Sequence, residues 1–248
     1  MEIIEGNYGK CYICDNMDKN VGLPSLNNKS WELCFTDPPY NCNYNPHSQE
    51  NRREIDGSFS GSAKLYEVTY NDVIDDYPKF CNNFYDIINR TCNKLIFTPG
   101  NINLGWWLHN YPPIDWGIHY TPNGKGCTHI FQFVKKEVIL FYGNFKSFCF
   151  IQDVWNIYIN NGALNRDHFT HTSPKSIELW KLIIKSVNPK SIIDPFGGSG
   201  TTFECAEELG IPWLGYEINP AYIEDIRTRV KRGILAHKNS NTQSLGEY

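Results

Sequence analysis

Residues 192–202 read Ile-Ile-Asp-Pro-Phe-Gly-Gly-Ser-Gly-Thr-Thr. An apolar run with an acid at its end gives way to proline and a glycine cluster, and then to TTFECAEEL, a stretch of helical composition. That pattern predicts a strand, a tight turn and a helix. Glycine reaches backbone angles closed to other residues and lets a ligand approach the main chain. The first N–H groups of the following helix lack partners inside it and favour negative charge. The next apolar run, WLGYE, ends on Glu217. An acid at the tip of the second strand of such a unit is placed to hold both hydroxyls of a ribose. The glycines alone are a weak signal, because GGSG is not GxGxxG and no other stretch suggests hydride chemistry. A dinucleotide enzyme stays open on this stretch alone.

The rest of the chain repeats the alternation. Strands are expected over residues 10–14, 32–36, 94–98, 116–121, 138–142, 191–194 and 213–217. Helices are expected over 78–92, after Pro99-Gly100 through Trp106 and Trp107, and over 174–186, 201–209 and 220–232. Short strands alternating with helices predict an α/β fold with a mostly parallel sheet. Residues 1–235 read as a single domain. Residues 41–75 are polar, and 144–170 mix an apolar piece, FCFIQDVW, with a polar one, NNGALNRD. Connections this long are usually functional or disordered. Residues 236–248 read as a flexible tail.

The 248 residues carry a net charge of −4, so nucleic-acid binding would have to use a local patch. No apolar run approaches the ~20 residues that cross a bilayer, and the N-terminus lacks a signal pattern; a cytoplasmic protein is expected. Of nine cysteines only Cys11 and Cys14 are closely spaced, without a second pair at ligand spacing. Reduced thiols packed in a strand are expected, and no metal.

A second corner, Phe35-Thr36-Asp37-Pro38-Pro39-Tyr40-Asn41, sets an acid and a ring on a stiff pair of prolines. Each proline locks φ and donates no hydrogen bond. Together TDPPY and DPFGGSGTT resemble the catalytic and cofactor motifs of the amino-directed, S-adenosylmethionine-dependent DNA methyltransferases. The resemblance runs from about Lys10 to about Lys231. CDNMD, KEVILFYG and HTSPK are weaker echoes of it, the last lacking a usual proline because Thr172 follows His171. The catalytic motif precedes the glycine motif, as in the permuted β group. The resemblance implies a Rossmann-like methyltransferase fold: a mostly parallel seven-stranded sheet with an antiparallel late strand and helices on both faces.

It also implies roles. Asp37 and the Pro38 carbonyl would accept the two hydrogens of an exocyclic amine, Pro39 would stiffen the corner, and Tyr40 would offer a face to a flipped base. Asp194, Phe196, Gly197, Gly198 and Gly200 would line S-adenosylmethionine, with Thr201 and Thr202 near its methionine end and Glu217 on the ribose. Asp15 would meet the adenine, or else cap a helix at Met17. Lys175, and more weakly Ser173, would meet the methionine carboxylate. Asn41, Arg52, Arg53, Lys64, Arg166 and His168 are candidate contacts to nucleic acid. Asp at the first motif position favours adenine N6 over cytosine N4 as the target. Residues 144–170 are few for a segment that reads several base pairs. A homodimer, or a single-stranded or RNA substrate, would account for so small a reader. A methyltransferase-like subunit without activity is the remaining alternative.

Overall fold

The computed structural model describes residues 1–41, 73–124, 131, 133–158, 169–171 and 174–244. Among the described residues nine strands form one sheet: β1 (Glu2–Glu5), β2 (Gly9–Ile13), β3 (Trp31–Thr36), β4 (Cys92–Phe97), β5 (Asp115–Tyr120), β6 (Lys136–Gly143), β7 (Val154–Asn156), β8 (Ile192–Asp194) and β9 (Trp213–Glu217). Their order is β1-β2-β9-β8-β3-β4-β6-β5-β7. The strands from β2 across to β4 are mutually parallel, and β6 runs antiparallel to both of its neighbours. The expected antiparallel late strand is therefore β6. The sheet has nine strands rather than seven because β1 pairs back on β2 and the three-residue β7 adds to β5. Both are too short for alternation to mark them in the sequence.

The α-helices are α1 (Tyr77–Thr91), α2 (Leu104–Asn110), α3 (Ile177–Val187), α4 (Thr201–Leu209) and α5 (Ile223–Ser244). Asp76 caps α1 by accepting from Lys79 N at 3.0 Å, with a proline in the first turn. Ser176 caps α3, which ends on left-handed Asn188. Apolar residues of the central strands face alternately to the two sides. Leu33, Phe35 and Ile192 pack with Leu179, Ile183, Phe203, Ile226 and Val230 of α3, α4 and α5. Cys34, Ile193, Leu95 and Phe97 pack with Phe84 and Ile88 of α1 and Trp107 of α2. Burial on both faces is why these strands read as unbroken apolar runs.

Two expectations are corrected. The tail expected from residue 236 is helical as far as Ser244. His237 holds it: its Nδ1 donates to Glu208 O at 3.0 Å, and its Nε2 pairs with the Tyr8 hydroxyl at 2.8 Å. No helix starts at Met17; the chain turns there and forms only a 3-10 turn at Leu23–Ser25. Among the described residues no helix is long and apolar enough to cross a membrane.

Candidate functional site

The direction in which successive strands are added reverses between the parallel strands β8 and β3. From β8 the chain steps outward through α4 to β9, and from β3 it steps the other way through α1 to β4. The two motifs leave the carboxyl ends of these adjacent parallel strands, at the switch point where open α/β sheets bind ligands. The corners touch: the Thr36 hydroxyl, one residue before Asp37, donates to Asp194 Oδ1 at 2.5 Å.

At the glycine corner, Asp194 also accepts from Phe196 N at 3.0 Å. Burial raises its pKa to about 6, against the hydrogen bonds of Thr202, Thr36 and Phe196. Gly198 and Gly200 sit at φ +51° and +86°, angles that a side chain makes costly. Gly197 serves packing: a Cβ there would lie 2.7 Å from the Phe203 ring. Phe196 leans on Phe80 and Phe84, so its ring belongs in part to the core. Thr201 and Thr202 are buried at the start of α4, and Thr202 Oγ1 accepts from the Trp180 indole at 3.2 Å. Glu217 accepts from Gly198 N and Asn219 N, each at 2.7 Å. Burial lifts its pKa to about 7 although both N–H groups favour the charged form.

Asp15 follows β2 on the same edge. Its carboxylate accepts from Met17 N at 2.8 Å, and the neighbouring Asn16 side chain donates to Pro195 O at 2.9 Å, tying this loop to the glycine corner. His171 was not anticipated from sequence. Its Nε2 stands 3.0 Å from where a Cβ on Gly198 would be, and burial pushes its pKa down to about 4, so the ring is neutral near pH 7. The backbone N–H groups of Thr170 and His171 donate to Asp225 on α5 at 3.0 and 2.8 Å.

The proline corner is more heavily built than its motif suggests. Tyr77 of α1 donates to Pro39 O at 3.1 Å, and the Asn103 amide donates to Tyr40 O at 2.6 Å. Asn41, a candidate nucleic-acid contact, instead has its side-chain oxygen taken by Ile74 N at 2.9 Å. Asp37 Oδ1 receives the Thr98 and Tyr40 hydroxyls and lies 3.0 Å from the Lys175 ammonium. That ammonium also binds Glu137 Oε1, and it donates to the Tyr40 oxygen at 3.0 Å. Lys175 thus stands at the proline corner, among acids. His119, paired across the strands with Glu137, places Nδ1 3.7 Å from Glu137 Oε2. Burial raises the Asp37 pKa, Lys175 opposes this, and Glu137 adds to it. For Glu137 burial is outweighed by Lys175, with the His119 ring alongside, and its pKa is brought down to about 2.

Thr98, Gly100, Glu137 and His119 were missed from sequence. Thr98 follows β4, His119 lies near the end of β5, and Glu137 lies near the start of antiparallel β6, so all three reach the same edge as Asp37. Gly100 has φ +71°, and a Cβ there would stand 2.7 Å from Tyr40 Cγ, so the Tyr40 ring rests against bare backbone. An acid near the start of an otherwise apolar strand, in KEVILFYG, was the available signal for Glu137.

Ser173, Arg52, Arg53, Lys64, Arg166 and His168 lie outside the described residues. Of the expected reader, the part from 144 to 153 starts where β6 ends, at Gly143, which pairs with Lys94 near the beginning of β4. It therefore lies on the edge opposite Asp37, with Phe148 and Ile151 exposed there. Only through β7, parallel to β5, does the chain return to the site edge.

Residues 122–228 match a family model described as DNA methylase, N6_N4_Mtase. The type II methyltransferase M.BamHI of Bacillus amyloliquefaciens is 26% identical over 96% of this chain, which spans only 60% of that relative's length. Among solved structures, the PvuII DNA methyltransferase (cytosine-N4-specific) superposes with a TM-score of 0.61 at 14% identity, over 94% of this chain and 93% of that one. The M1.HpyAVI–SAM complex superposes with a TM-score of 0.56 at 15% identity, over 90% and 98%. These two likenesses establish a Rossmann-like methyltransferase fold. Both motifs stand at one sheet edge in that fold, and the family match spans the glycine corner: over residues 122–228 the chain is similar to the N6/N4 DNA methylases.

Proposed function

We propose that this site transfers a methyl group from S-adenosylmethionine to the exocyclic amine of a base flipped out of DNA, adenine N6 being the target. The observation that carries the proposal is the juxtaposition of the two corners on adjacent strands, joined by the Thr36–Asp194 hydrogen bond. The glycine corner suits a nucleoside cofactor, with backbone bare of side chains at Gly198 and Gly200 beside a buried acid, Glu217, at the next strand tip. Asp194, Gly198, Glu217 and Asp15 would hold the cofactor, whose sulfonium supplies an activated methyl group when bound.

The poor reactant is the amine, because its lone pair is delocalised into the ring. Asp37 accepts one of its hydrogens and the Pro38 carbonyl the other, which draws the nitrogen toward a tetrahedral geometry and aligns its lone pair. When bound, the cofactor would supply its methyl group to that nitrogen, its sulfur keeping the bonding pair. The proton shed by the methylated amine would pass to Asp37, which already accepts that hydrogen, and on to solvent. Tyr40 offers a ring against which the base can stack, worth roughly 1–3 kcal/mol toward the cost of flipping. Aspartate at the first motif position supports adenine.

The test is to incubate the protein with methyl-labelled S-adenosylmethionine and mixed DNA and RNA, then digest to nucleosides. Labelled N6-methyldeoxyadenosine is expected. N4-methylcytosine would replace the adenine assignment, label in RNA would replace the DNA assignment, and no label would leave a binding subunit.

Two further outcomes are expected. A carboxylate holds a ribose diol better than a carboxylic acid, so cofactor affinity should rise with pH through about 7, the pKa of Glu217, with proton release on binding. Below that pH affinity should fall by at most about tenfold per unit; calorimetry in buffers of different ionisation enthalpy checks both. The sign for the unliganded fold is opposite. Asp194 and Glu217 have raised pKa values, so the stability they contribute in protonated form is lost as pH rises through about 6 and about 7. Separately, Gly100→Ala should lower turnover by about tenfold by pushing the Tyr40 ring aside. Its urea midpoint should move little beyond what a side chain at positive φ costs.

A further inference from the structure

Two carboxylates, Asp37 and Glu137, share one ammonium at the proline corner. Glu137 is the nearer partner of Lys175, and its Oε1 also lies 3.2 Å from the Tyr40 hydroxyl. Tyr40 has a single hydroxyl hydrogen. With it directed to Asp37, the Tyr40 oxygen is left to accept from Lys175 at 3.0 Å. The three donors Tyr40, Thr98 and Lys175 all address Asp37 Oδ1, which leaves the lone pairs of Oδ2 to accept a further hydrogen. One oxygen of the carboxylate is anchored by the protein and the other is presented.

We propose that Glu137 is a positioning residue for the transfer step: by binding the Lys175 ammonium beside the Tyr40 hydroxyl, it fixes which oxygen of Asp37 meets the base amine. The assignment rests on the methyl-transfer reading above. Without Glu137, Lys175 has Asp37 as its one remaining carboxylate at this corner, and an ion pair closed on the acceptor weakens it toward the amine. A purely structural role explains less. His119, the cross-strand neighbour of Glu137, already bonds Ile157 O through Nε2 at 2.9 Å, and β6 is otherwise apolar where it is buried. The charged and titratable groups around the pair are Lys175 from just before the cap of α3, His119 from β5 and Tyr40. Asp194 on β8 and His171 interact with Asp37 and Lys175 over a longer range.

Two variants and two readouts test this. Glu137→Gln should lower kcat by about 100-fold with KM for the cofactor unchanged. It should also move the acid limb of the kcat profile to lower pH, because Asp37 loses a negative neighbour and gains the whole of Lys175. Glu137→Asp keeps the charge but withdraws it by one methylene; kcat should fall while the limb stays in place. Independently of turnover, Lys175 should be acylated faster by an N-hydroxysuccinimide ester in Glu137→Gln than in the wild type, as read by peptide mass spectrometry. An unmoved acid limb, or Lys175 labelling at the wild-type rate, overturns the assignment. A wild-type protein that methylates no nucleic acid overturns the proposed function instead, and the labelling comparison still decides whether Glu137 holds the lysine.

Discussion

Asp37→Ala is expected to lower methyl transfer by about 1,000-fold and to leave S-adenosylmethionine affinity at its wild-type value. The split follows from the layout. Asp37 leaves β3, whereas the residues suited to the cofactor leave β8, β9 and β2. The fold should tolerate the change. Lys175 keeps Glu137 as a partner, and the Tyr40 hydroxyl keeps Thr98 Oγ1 at 3.1 Å and Glu137 Oε1 at 3.2 Å. No buried charge is left alone, which is the usual origin of a large stability loss when one member of an ion pair is removed. Asp37→Asn separates charge from shape. Its amide retains an acceptor oxygen, but the three donors now at Oδ1 compete for it, and the amide NH2 then faces the base amine, donor against donor. Its loss should approach that of the alanine variant. Single-turnover transfer and calorimetric cofactor titration give the two quantities. Turnover at the wild-type rate in Asp37→Ala would remove the carboxylate from the reaction.

Both corners were legible in the sequence because what they require is local. Positive φ at Gly198 and Gly200, and φ locked by Pro38 and Pro39, are properties of single residues, and the acids stand within the same few positions. The central strands were legible for a similar reason, since burial on both faces leaves an apolar run. Thr98, His119 and Glu137 were not legible as a group. Thr98 meets Asp37 from the parallel neighbour β4, whereas Glu137 does so because β6 runs against its neighbours, so that the start of one strand stands beside the ends of the others. The acid in KEVILFYG marks a candidate, but the strand direction that brings it to the site is set by pairing and not by the stretch itself. The same reversal explains why residues 144–153, expected to read DNA, start on the far edge. The tail misled by composition. HKNSN carries no apolar residue, yet His237 ties the helix to α4 and to the β1–β2 hairpin.

The largest stability effect is expected at Glu207. It stands in AEEL, within the short helix α4, and has no exposed surface. Its carboxylate accepts from Asn7 N at 3.1 Å and Tyr8 N at 2.9 Å in the hairpin turn between β1 and β2. It also accepts from the Trp213 indole at 2.6 Å. Gly6 lets the turn close over it: a Cβ there would lie 2.1 Å from Glu207 Oε1. Hydrogen bonds to a charged acceptor contribute more than neutral ones, and donors stranded in the interior carry the full cost of desolvation. Glu207→Ala should therefore destabilise the fold by about 4 kcal/mol, measured as a lower urea midpoint. Glu207→Gln should cost less. Its oxygen can serve the two donors at Oε1, and only its NH2 must oppose Asn7 N–H. The effect should also reach the site. The hairpin seats β2 against β9, and β2 delivers Asp15 to the edge that carries Glu217. At urea concentrations below the shifted midpoint, Glu207→Gln should then weaken cofactor binding before global unfolding begins. A loss below about 1 kcal/mol in Glu207→Ala would mean that water replaces the carboxylate without penalty, and that the hairpin is held by its strand pairing alone.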